Sequence, residues 1–508
     1  MYKSTIPFSL ALFLGALLTI GRPVHAQQVS ESWSTPINLS NMSTDSAYPK
    51  VVADQNGRVH VFWTENLPEY SLFNNVIYYS RLDGKDWSEP VDILTSPQGG
   101  LQAKADQPDV TVGKDGTLHL VFVGGWNDLI YYSSADSNQA TKVRSWKPPV
   151  VISEDIPYAG YPNILLDDRG YIYVIFQSEQ GQNQGIYQVM SKDNGSSWTS
   201  PTAIPGTTFN KNTITIDTRA SISERGSIYV TWAWTTQELF PPMGIYYTRS
   251  DESGSNWSDP IPIVNGPYRY PDVLAVGDNQ VFLVWSGTAD DRYKFSRSSN
   301  DGGQTWSAPY KMTDTGGLQG YSGMALDSLG RVHIGMAASC YSCIKGNGQI
   351  KGDALIHRYW EGEAWSSPES LLENSSTYNN LQYADIAISE GNIANIVLMY
   401  PIDNKEGSAQ KYQFDIFYVR GVLDVPHIDP QPIPTSILPT PTTELTSIDI
   451  TNFQEPGSGD QSILPIDHPL IPGNMNSTTS FVIGAVPVGI LLTLYIVLRK
   501  WISTKSTH

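Results

Sequence analysis

The feature that most constrains this chain is a tryptophan followed three residues later by a proline, which recurs seven times. The seven copies begin at Trp33, Trp87, Trp146, Trp198, Trp257, Trp306 and Trp365. Their spacing is 49 to 59 residues throughout. A fixed period of this size indicates a fold built from repeated units, each of which buries its apolar faces against its neighbours.

A second recurring unit lies between these marks. It is a short apolar run, a polar turn that usually contains glycine, and another alternating run, which together predict a β-hairpin. The copies are VVADQNGRVHVFW, VTVGKDGTLHLVF, ILLDDRGYIYVIF, ASISERGSIYVTW, VLAVGDNQVFLVW, MALDSLGRVHIGM and IAISEGNIANIVL. A third strand follows, as in VIYYSR and DIFYVR. Seven four-stranded units predict an all-β, seven-bladed β-propeller over residues 29–424.

The phase of the repeats predicts how the ring closes. The first tryptophan mark, Trp33, precedes every hairpin, and the last hairpin, in residues 383–420, has no mark after it. We therefore expect the N-terminal strand around Trp33 to complete the last blade. Such closure removes the exposed strand edges that an open array would leave.

Composition excludes several classes of protein. The chain carries 32 Lys and Arg against 50 Asp and Glu, a formal charge of -18, so its bulk electrostatics do not favour nucleic acid. It has only 2 cysteines, which excludes a disulfide-rich scaffold and a four-cysteine zinc module. No cofactor or metal is expected, and the propeller is expected to be monomeric.

The two ends of the chain predict export and a membrane anchor. Residues 1–26 have the basic, apolar and small-residue parts of a signal peptide. Residues 425–479 are rich in Pro, Thr and Ser and predict an extended stalk. Residues 480–498 are an uncharged apolar stretch long enough to cross a bilayer, and the basic tail 499–508 predicts a cytoplasmic end. The propeller is therefore expected outside the cell on a single-pass anchor.

Two of the turns before the tryptophan marks carry a specific motif, Ser/Thr-x-Asp-x-Gly-x-Thr-Trp. The copy at residues 299–306 matches it fully, and the copy at 191–198 has Ser in place of Thr. Looser copies precede Trp257 and Trp87. The motif residues, to which we assign a structural role, are Ser191, Asp193, Gly195, Trp198, Ser299, Asp301, Gly303 and Trp306.

With these motifs the chain resembles the Asp-box (BNR) repeat proteins, whose best-known members are sialidases. The resemblance implies a propeller with the Asp boxes on one face and any ligand site on the other face, over the central channel. Sialidases clamp their substrate's carboxylate with three arginines, because a planar guanidinium suits bidentate recognition. The strand order assigns three arginines to the expected site face: Arg219, Arg269 and Arg292.

Sialidase chemistry also needs an Asp acid and a Tyr nucleophile assisted by Glu. The resemblance implies Glu238, Tyr270 and Tyr321 as catalytic candidates. Other acids and tyrosines expected near the same face are Asp45, Glu65, Glu179, Asp290, Asp291 and Tyr268. The alternative for the three arginines is that they are solvated loop charges with salt-bridge partners such as Asp290 and Asp291.

Two tryptophans and the cysteine pair complete the set of candidates. Trp126 and Trp234 are expected in or near loops of the site face, where flat rings suit the apolar C–H faces of sugars, although packing between blades is an equal alternative. Cys340 and Cys343 lie in a long Gly- and Lys-rich loop and are expected to form a local disulfide in an exported domain.

Three functions therefore remain open. The first is recognition of glycans by a membrane-anchored extracellular propeller. The second is an exo-α-sialidase or another glycoside hydrolase, although the Arg-Ile-Pro or Arg-Leu-Pro tripeptide of sialidases is absent here and their propellers have fewer blades. The third is a protein-binding scaffold of the cell envelope.

Overall fold

The computed structural model of the protein describes residues 33–67, 75–95, 104–179, 184–208, 213–236, 242–288, 293–313, 320–338, 354–373, 381–403 and 412–433. Within them the chain forms 29 β-strands and one short 3-10 helix, Val143–Ser145. The predicted signal peptide, the membrane segment, the basic tail and all of the stalk after residue 433 lie outside the described residues. In the described part of the chain, no helix is long and apolar enough to cross a membrane.

The first strand, β1 (Ile37–Asn38), is followed by seven groups of strands, which we call blades 1 to 7. Blade 1 contains β2 (Asp45–Ala53), β3 (Val59–Asn66), β4 (Asn75–Asp83), β5 (Asp86–Trp87) and β6 (Val91–Leu94). Blade 2 contains β7 (Ala105–Val112), β8 (Thr117–Gly124), β9 (Leu129–Asp136) and β10 (Val150–Val151). Blade 3 contains β11 (Ala159–Leu166), β12 (Ile172–Ser178), β13 (Gly185–Ser191) and β14 (Thr202–Ala203).

The remaining blades repeat this order. Blade 4 contains β15 (Thr213–Ile222), β16 (Ile228–Thr236), β17 (Gly244–Ser250) and β18 (Ile261–Asn265). Blade 5 contains β19 (Tyr268–Val276), β20 (Gln280–Gly287), β21 (Lys294–Ser299) and β22 (Tyr310–Lys311). Blade 6 contains β23 (Ser322–Leu326), β24 (Val332–Ala338), β25 (Ala354–Tyr359) and β26 (Glu369–Glu373). Blade 7 contains β27 (Gln382–Ser389), β28 (Ile393–Asp403) and β29 (Tyr412–Val422).

The strands pair into seven antiparallel sheets, so the predicted seven-bladed all-β propeller is confirmed. The predicted closure is confirmed as well, because β1 pairs with β29 and becomes the outer strand of blade 7. Ile37 lies opposite Tyr418, and Trp33 forms an isolated bridge with Gly421. The N-terminal segment therefore joins blade 7 to blade 1 by a short seam.

The tryptophan marks pack between blades, as predicted. Trp87 of blade 1 meets Tyr418 of blade 7 edge-on, with ring centroids 4.8 Å apart. The same contact recurs around the ring between Trp146 and Phe62, Trp198 and Tyr132, Trp306 and Tyr247, and Trp365 and Phe282. Large aromatic surfaces buried in this way stabilise the blade interfaces and need no ligand to explain them.

The Asp boxes form local turns on one face of the propeller. The same face carries the turns between the first and second strands of the blades. In the full copy, the amide of Gly303 donates to Ser299 Oγ at 2.7 Å and the amide of Thr305 donates to Asp301 Oδ1 at 2.8 Å. The copy at 191–198 repeats both bonds through Ser191 and Asp193, and the looser copy before Trp257 repeats the serine bond. Gly303 has a left-handed φ of 86°, and a Cβ there would overlap the hydroxyl of Tyr247 in the preceding blade. The glycine is therefore required both by the turn and by the blade interface, and Gly195 faces Tyr132 in the same way.

After β29 the chain crosses the Asp-box face as an extended segment, residues 423–433, which we call the strap. It hydrogen-bonds the first-hairpin turns of three successive blades: Ser328 Oγ to the Pro426 carbonyl at 2.6 Å, the Ile428 amide to the Glu390 carbonyl at 2.8 Å, and the Gln431 amide to the Gln55 carbonyl at 2.6 Å. These turns belong to blades 6, 7 and 1. The strap therefore spans the seam between blades 7 and 1 from the Asp-box side.

We expect the strap to act as a second fastening of the ring. Replacing Gln431 by proline removes the amide that donates to Gln55, whereas replacing it by alanine keeps that amide. The proline variant should lose about 1 kcal/mol of unfolding free energy, the usual net contribution of one hydrogen bond. It should also speed hydrogen exchange at the seam amide of Leu39, which donates to Ile416. Equal exchange rates in the two variants would show that the strap does not support the seam.

Candidate functional site

The first strands of six blades carry the same irregularity near the face opposite the Asp boxes, which we call the site face. Each has a β-bulge that leaves two residues unpaired, as between Ala47 and Lys50 in β2. The first unpaired residue has a left-handed φ of 49° to 58° in every case. These residues are Tyr48, Gln107, Tyr161, Asp217, Tyr270 and Tyr383. A left-handed φ at a tyrosine is uncommon and marks a position held by its surroundings.

The bulges bring tyrosines of different blades together at the mouth of the central channel. Tyr321, which directly precedes β23, lies at the centre of the group and is 4% exposed. Its ring centroid is 5.3 Å from that of Tyr270, 5.4 Å from that of Tyr383 and 6.2 Å from that of Tyr161. Tyr48 meets Tyr383 at 5.1 Å. We call these five residues the tyrosine cluster.

Sequence reasoning named Tyr270 and Tyr321 but missed the rest of the cluster. The signal was present as a Tyr-Pro-polar tripeptide before three of the hairpins, beginning at Tyr48, Tyr161 and Tyr270. Related tripeptides begin at Gln107 and Tyr383. The period of these tripeptides matches that of the tryptophan marks, and it would have placed one residue of each blade at the channel mouth.

A buried ion pair lies against the cluster. Arg269 donates from Nε and Nη2 to the two carboxylate oxygens of Asp217, each at 2.8 Å, and Tyr321 donates its hydroxyl to the same carboxylate at 3.0 Å. Burial by itself raises the pKa of Asp217, but the charge and hydrogen bonds of Arg269 outweigh it and hold that pKa below its usual value. Asp217 is therefore ionised, and two donors of the Arg269 guanidinium are engaged within the protein.

Arg219 lies on the channel side of the cluster. Its guanidinium carbon is 3.6 Å from the centroid of the Tyr321 ring, in a cation–π contact, and Nη1 donates to the carbonyl of Thr218 at 3.2 Å. The structure thus brings together four of the predicted site residues, Arg219, Arg269, Tyr270 and Tyr321. Arg292, Glu238, Asp290, Asp291, Cys340 and Cys343 lie outside the described residues.

Beneath the cluster is a cavity of about 320 Å³ in the centre of the ring. Charged side chains from successive blades line it, and several of them connect neighbouring blades. Lys50 pairs with Asp109 at 3.0 Å. Asp109 accepts the amide of Ile164 at 2.8 Å, and Asp385 accepts the amide of Val51 at 3.0 Å. Most of the charge in the channel therefore holds blades together.

Two buried groups, Asp272 in the lining of this cavity and Lys294 in β21, have strongly shifted pKa values. Burial raises the pKa of Asp272 to about 7, against the opposing charges of Arg219 and Lys50. Burial also lowers the pKa of Lys294 to about 7. The Lys294 ammonium donates to the carbonyl of Gly320 at 2.6 Å, next to Tyr321. Lys294 thus supports the backbone that carries the central tyrosine.

The phenols of the cluster are weak acids. Burial raises the pKa of Tyr48, Tyr161, Tyr321 and Tyr383 well above the ordinary value, and the nearby carboxylate of Asp217 adds to this for Tyr161, Tyr321 and Tyr383. They therefore remain neutral hydroxyls at physiological pH, able both to donate and to accept hydrogen bonds.

The other predicted residues of the site face have varied environments. Trp126 is 55% exposed in the turn between β8 and β9, whereas Trp234 is partly buried against the Tyr246 ring.

Glu65 is fully buried and accepts hydrogen bonds from Thr44, Ser46 and Trp63. Asp45, at the start of β2, accepts the amide of Phe414, and the Tyr268 ring packs edge-on against Trp285. Glu179 is partly buried directly after β12, and burial raises its pKa. Within the described residues, no three His, Cys, Asp or Glu side chains are grouped to hold a metal ion.

Comparison with known proteins identifies the repeat. A family described as "BNR repeat-like domain" matches residues 75–334, slightly more than half of the chain. No curated protein sequence matches the chain.

Several solved structures resemble the fold weakly. A protein of unknown function from Dyadobacter fermentans is 17% identical with a TM-score of 0.46, covering 77% of this chain and 100% of that chain. A PL25 ulvan lyase is 11% identical with a TM-score of 0.46, covering 75% and 95%. The NanB sialidase of Streptococcus pneumoniae is 14% identical with a TM-score of 0.41, covering 77% and 70%. Likeness at this level says nothing about the ligand or the reaction of this chain.

Proposed function

Since this chain belongs to the family of BNR repeat-like domains, we propose that it is a carbohydrate-binding propeller whose binding face is the tyrosine cluster. The observation that carries this proposal is the convergence of five tyrosines from five blades at one channel mouth. Sugars offer hydroxyl groups and apolar C–H faces, and neutral phenols match both. A concave aromatic surface with a few polar groups is the usual form of a small-molecule site.

Recognition is favoured over cleavage by the state of the charged groups. The Arg269 guanidinium is engaged by Asp217, and Arg219 lies beneath the ring of Tyr321. The raised pKa of the Tyr321 hydroxyl makes it a poor nucleophile, since burial opposes formation of the phenolate. Glycan binding requires neither the release of Arg269 from Asp217 nor the ionisation of Tyr321.

We further propose that the propeller is displayed outside the cell on the predicted stalk and membrane segment. The apolar segments at both ends of the sequence support this placement. The strap also supports it, because the chain leaves the propeller on the Asp-box face and the described part of the strap does not cover the mouth.

A glycan array probed with purified full-length protein tests the binding role. We expect binding to at least one class of glycan, and a loss of tenfold or more in Tyr270→Asn, which removes one ring of the cluster while asparagine tolerates the left-handed φ of that position. Leu329→Ala is the matched control, because Leu329 is 61% exposed in a turn on the opposite face, and it should bind like the wild type. Absence of binding to every printed glycan would favour the protein-binding scaffold instead.

The second candidate is a glycoside hydrolase of the sialidase type. The hydrogen bond from Tyr321 to Asp217 favours it, since a tyrosine nucleophile needs a carboxylate to take its proton. In this case Arg269 would leave Asp217 for the substrate's carboxylate, while Arg292 and Glu238, which lie outside the described residues, stay candidates from the sequence alone. Fluorogenic sialosides test it: release of the fluorophore that is lost in Tyr321→Phe would establish hydrolysis, and no release from any sialoside would exclude it.

A further inference from the structure

The edge of the site face carries a pair of exposed aromatic residues, Trp126 and Tyr158. They are 55% and 44% exposed, on the turns that precede β9 and β11. Sequence reasoning missed Tyr158. We call this pair and the residues that support it the rim.

The rim is held in place by a dense set of backbone hydrogen bonds. The amide of Tyr158 donates to the carbonyl of Asn127, and the amide of Ala159 donates to that of Asp128, both at 2.7 Å. Asp128 and Tyr158 have left-handed φ values of 52° and 56°. Unfavourable backbone conformations persist only where the surroundings over-determine them, which is common at binding sites. The two rings are therefore presented to solvent by a backbone that is already ordered, so ligand binding would cost little additional ordering.

The rim is continuous with the tyrosine cluster. Tyr158 directly precedes β11 and lies three residues before Tyr161, so their Cα atoms are at most about 10 Å apart. Glu179 lies between them: its amide donates to the carbonyl of Tyr158 at 3.2 Å, and its carboxylate interacts electrostatically with Asp217 and Arg269 at the mouth. A ligand of more than one sugar residue can therefore contact both the mouth and the rim.

The charges along this path do not favour an acidic ligand. The Lys104 ammonium pairs with Asp128 at 2.5 Å, and Arg269 pairs with Asp217. Glu179 has no ion-pair partner within 4 Å among the described residues, so it adds a local negative charge when ionised. Of the two site-face arginines that the structure describes, Arg269 pairs with Asp217 and Arg219 lies against the Tyr321 ring, so both guanidinium groups are already engaged where an anionic sugar would meet the Glu179 carboxylate.

We propose that the rim is a second sugar-binding subsite and that the ligand is an uncharged oligosaccharide that extends from the tyrosine cluster to Trp126 and Tyr158. This rests on the proposed carbohydrate-binding function. The aromatic rings take the apolar face of a sugar ring, while Glu179 and the Lys104–Asp128 pair provide polar partners for its hydroxyl groups. Two exposed rings among charged groups suit one sugar residue and are too small to form the centre of a protein interface.

Titration of the full-length protein with saccharides of different length and charge tests the inference. The probes are cellotetraose, N-acetylchitotetraose and mannotetraose, their monosaccharides, and an α2,8-linked sialic acid tetramer. We expect at least one neutral tetramer to bind tenfold or more tightly than its monosaccharide and than the acidic tetramer. Trp126→Ala and Tyr158→Asn should each abolish that tenfold gain, and Leu329→Ala should keep it. Asparagine is chosen because it tolerates a left-handed φ.

The outcomes separate the inference from the function it rests on. Equal binding of tetramer and monosaccharide, tighter binding of the acidic tetramer, or full tetramer binding by both rim variants would overturn the inference. If tetramer binding is lost in Tyr270→Asn but kept in both rim variants, the proposed function stands and the second subsite does not. No binding of any saccharide to the wild type overturns both.

Discussion

Replacing Asp217 by alanine should lower the free energy of unfolding by about 3–5 kcal/mol, the usual cost of removing one partner of a buried ion pair. Asp217 is fully buried and neutralises Arg269, so the alanine variant leaves a guanidinium in a poorly solvated site. The Tyr321 hydroxyl and the Tyr270 amide also lose their acceptor. Chemical denaturation of the full-length protein, monitored by tryptophan fluorescence, measures the effect.

A double-mutant cycle separates the pair from its surroundings. Arg269→Ala alone should also be strongly destabilising, whereas the double variant should cost clearly less than the sum of the two, because no unpaired charge remains. The exposed pair of Arg225 and Asp278 is the control: its charged atoms are 3.0 Å apart, close to the 2.8 Å between Arg269 and Asp217, but the Arg225 side chain is 85% exposed. Arg225→Ala should change stability by less than about 1 kcal/mol. Additive effects of Asp217→Ala and Arg269→Ala would contradict the coupling that we describe.

Acidification should destabilise the propeller through buried histidines in the second strands. Burial lowers the pKa of His119 and of His333 to about 4, from 6.5. At a pH between these two pKa values, each histidine binds a proton in the unfolded state but not in the folded state. The free energy of unfolding therefore falls as pH falls from about 6.5 to 4. Each histidine contributes about 3 kcal/mol of stability at neutral pH, at about 1.4 kcal/mol per unit of pKa.

The variant His119→Gln tests this, because glutamine has no titratable group in that range. The difference in unfolding free energy between wild type and variant should shrink by about 3 kcal/mol as pH falls from 6.5 to 4. Asp272 has a raised pKa, so its titration acts on stability in the opposite direction over the same pH range. The difference in unfolding free energy between wild type and variant therefore reports on His119 more directly than either stability curve. Asp272→Asn is the control and should steepen the loss of stability on acidification. A difference that is constant with pH would show that His119 titrates normally in the folded protein.

The histidine sites illustrate a regularity that only the structure revealed. The Nδ1 atoms of His60 and His119 lie 2.8 Å from the hydroxyls of Tyr79 and Tyr132 in the neighbouring third strands. In blade 6 the corresponding partner of His333 is His357, at 2.9 Å. These pairs are repeated core contacts between strands, and burial at these positions lowers the pKa of His60, His119 and His333 and keeps them neutral.

The fold was predictable because its determinants are local and repeated. The turn before Trp306 needs Gly303, and Trp306 packs on the preceding blade. Residues of this kind recur in the sequence at a fixed period. The closure by Trp33 and β1 followed from the phase of those marks. The strap did not, because its contacts run through backbone carbonyls and leave no residue pattern.

The candidate site was only partly predictable. The strand order assigned Arg219, Arg269, Tyr270 and Tyr321 to one face, and the structure brings these four residues into contact. The strand order could not show that Arg269 is paired with Asp217, since Asp217 lies in a different blade and 52 residues earlier. Nor could it show that the bulges turn Tyr48, Tyr161 and Tyr383 toward the axis.

The sequence by itself thus determined the number of blades, their order and the closure of the ring, because periodic burial and turn chemistry act within one repeat and its neighbours. Only the tertiary structure decided which arginine is engaged, which tyrosines meet and which aromatics remain exposed. These depend on distances between residues of different blades, some adjacent, as for Asp217 and Arg269, and some not, as for Tyr161 and Tyr321. Such distances are set by the closed ring as a whole.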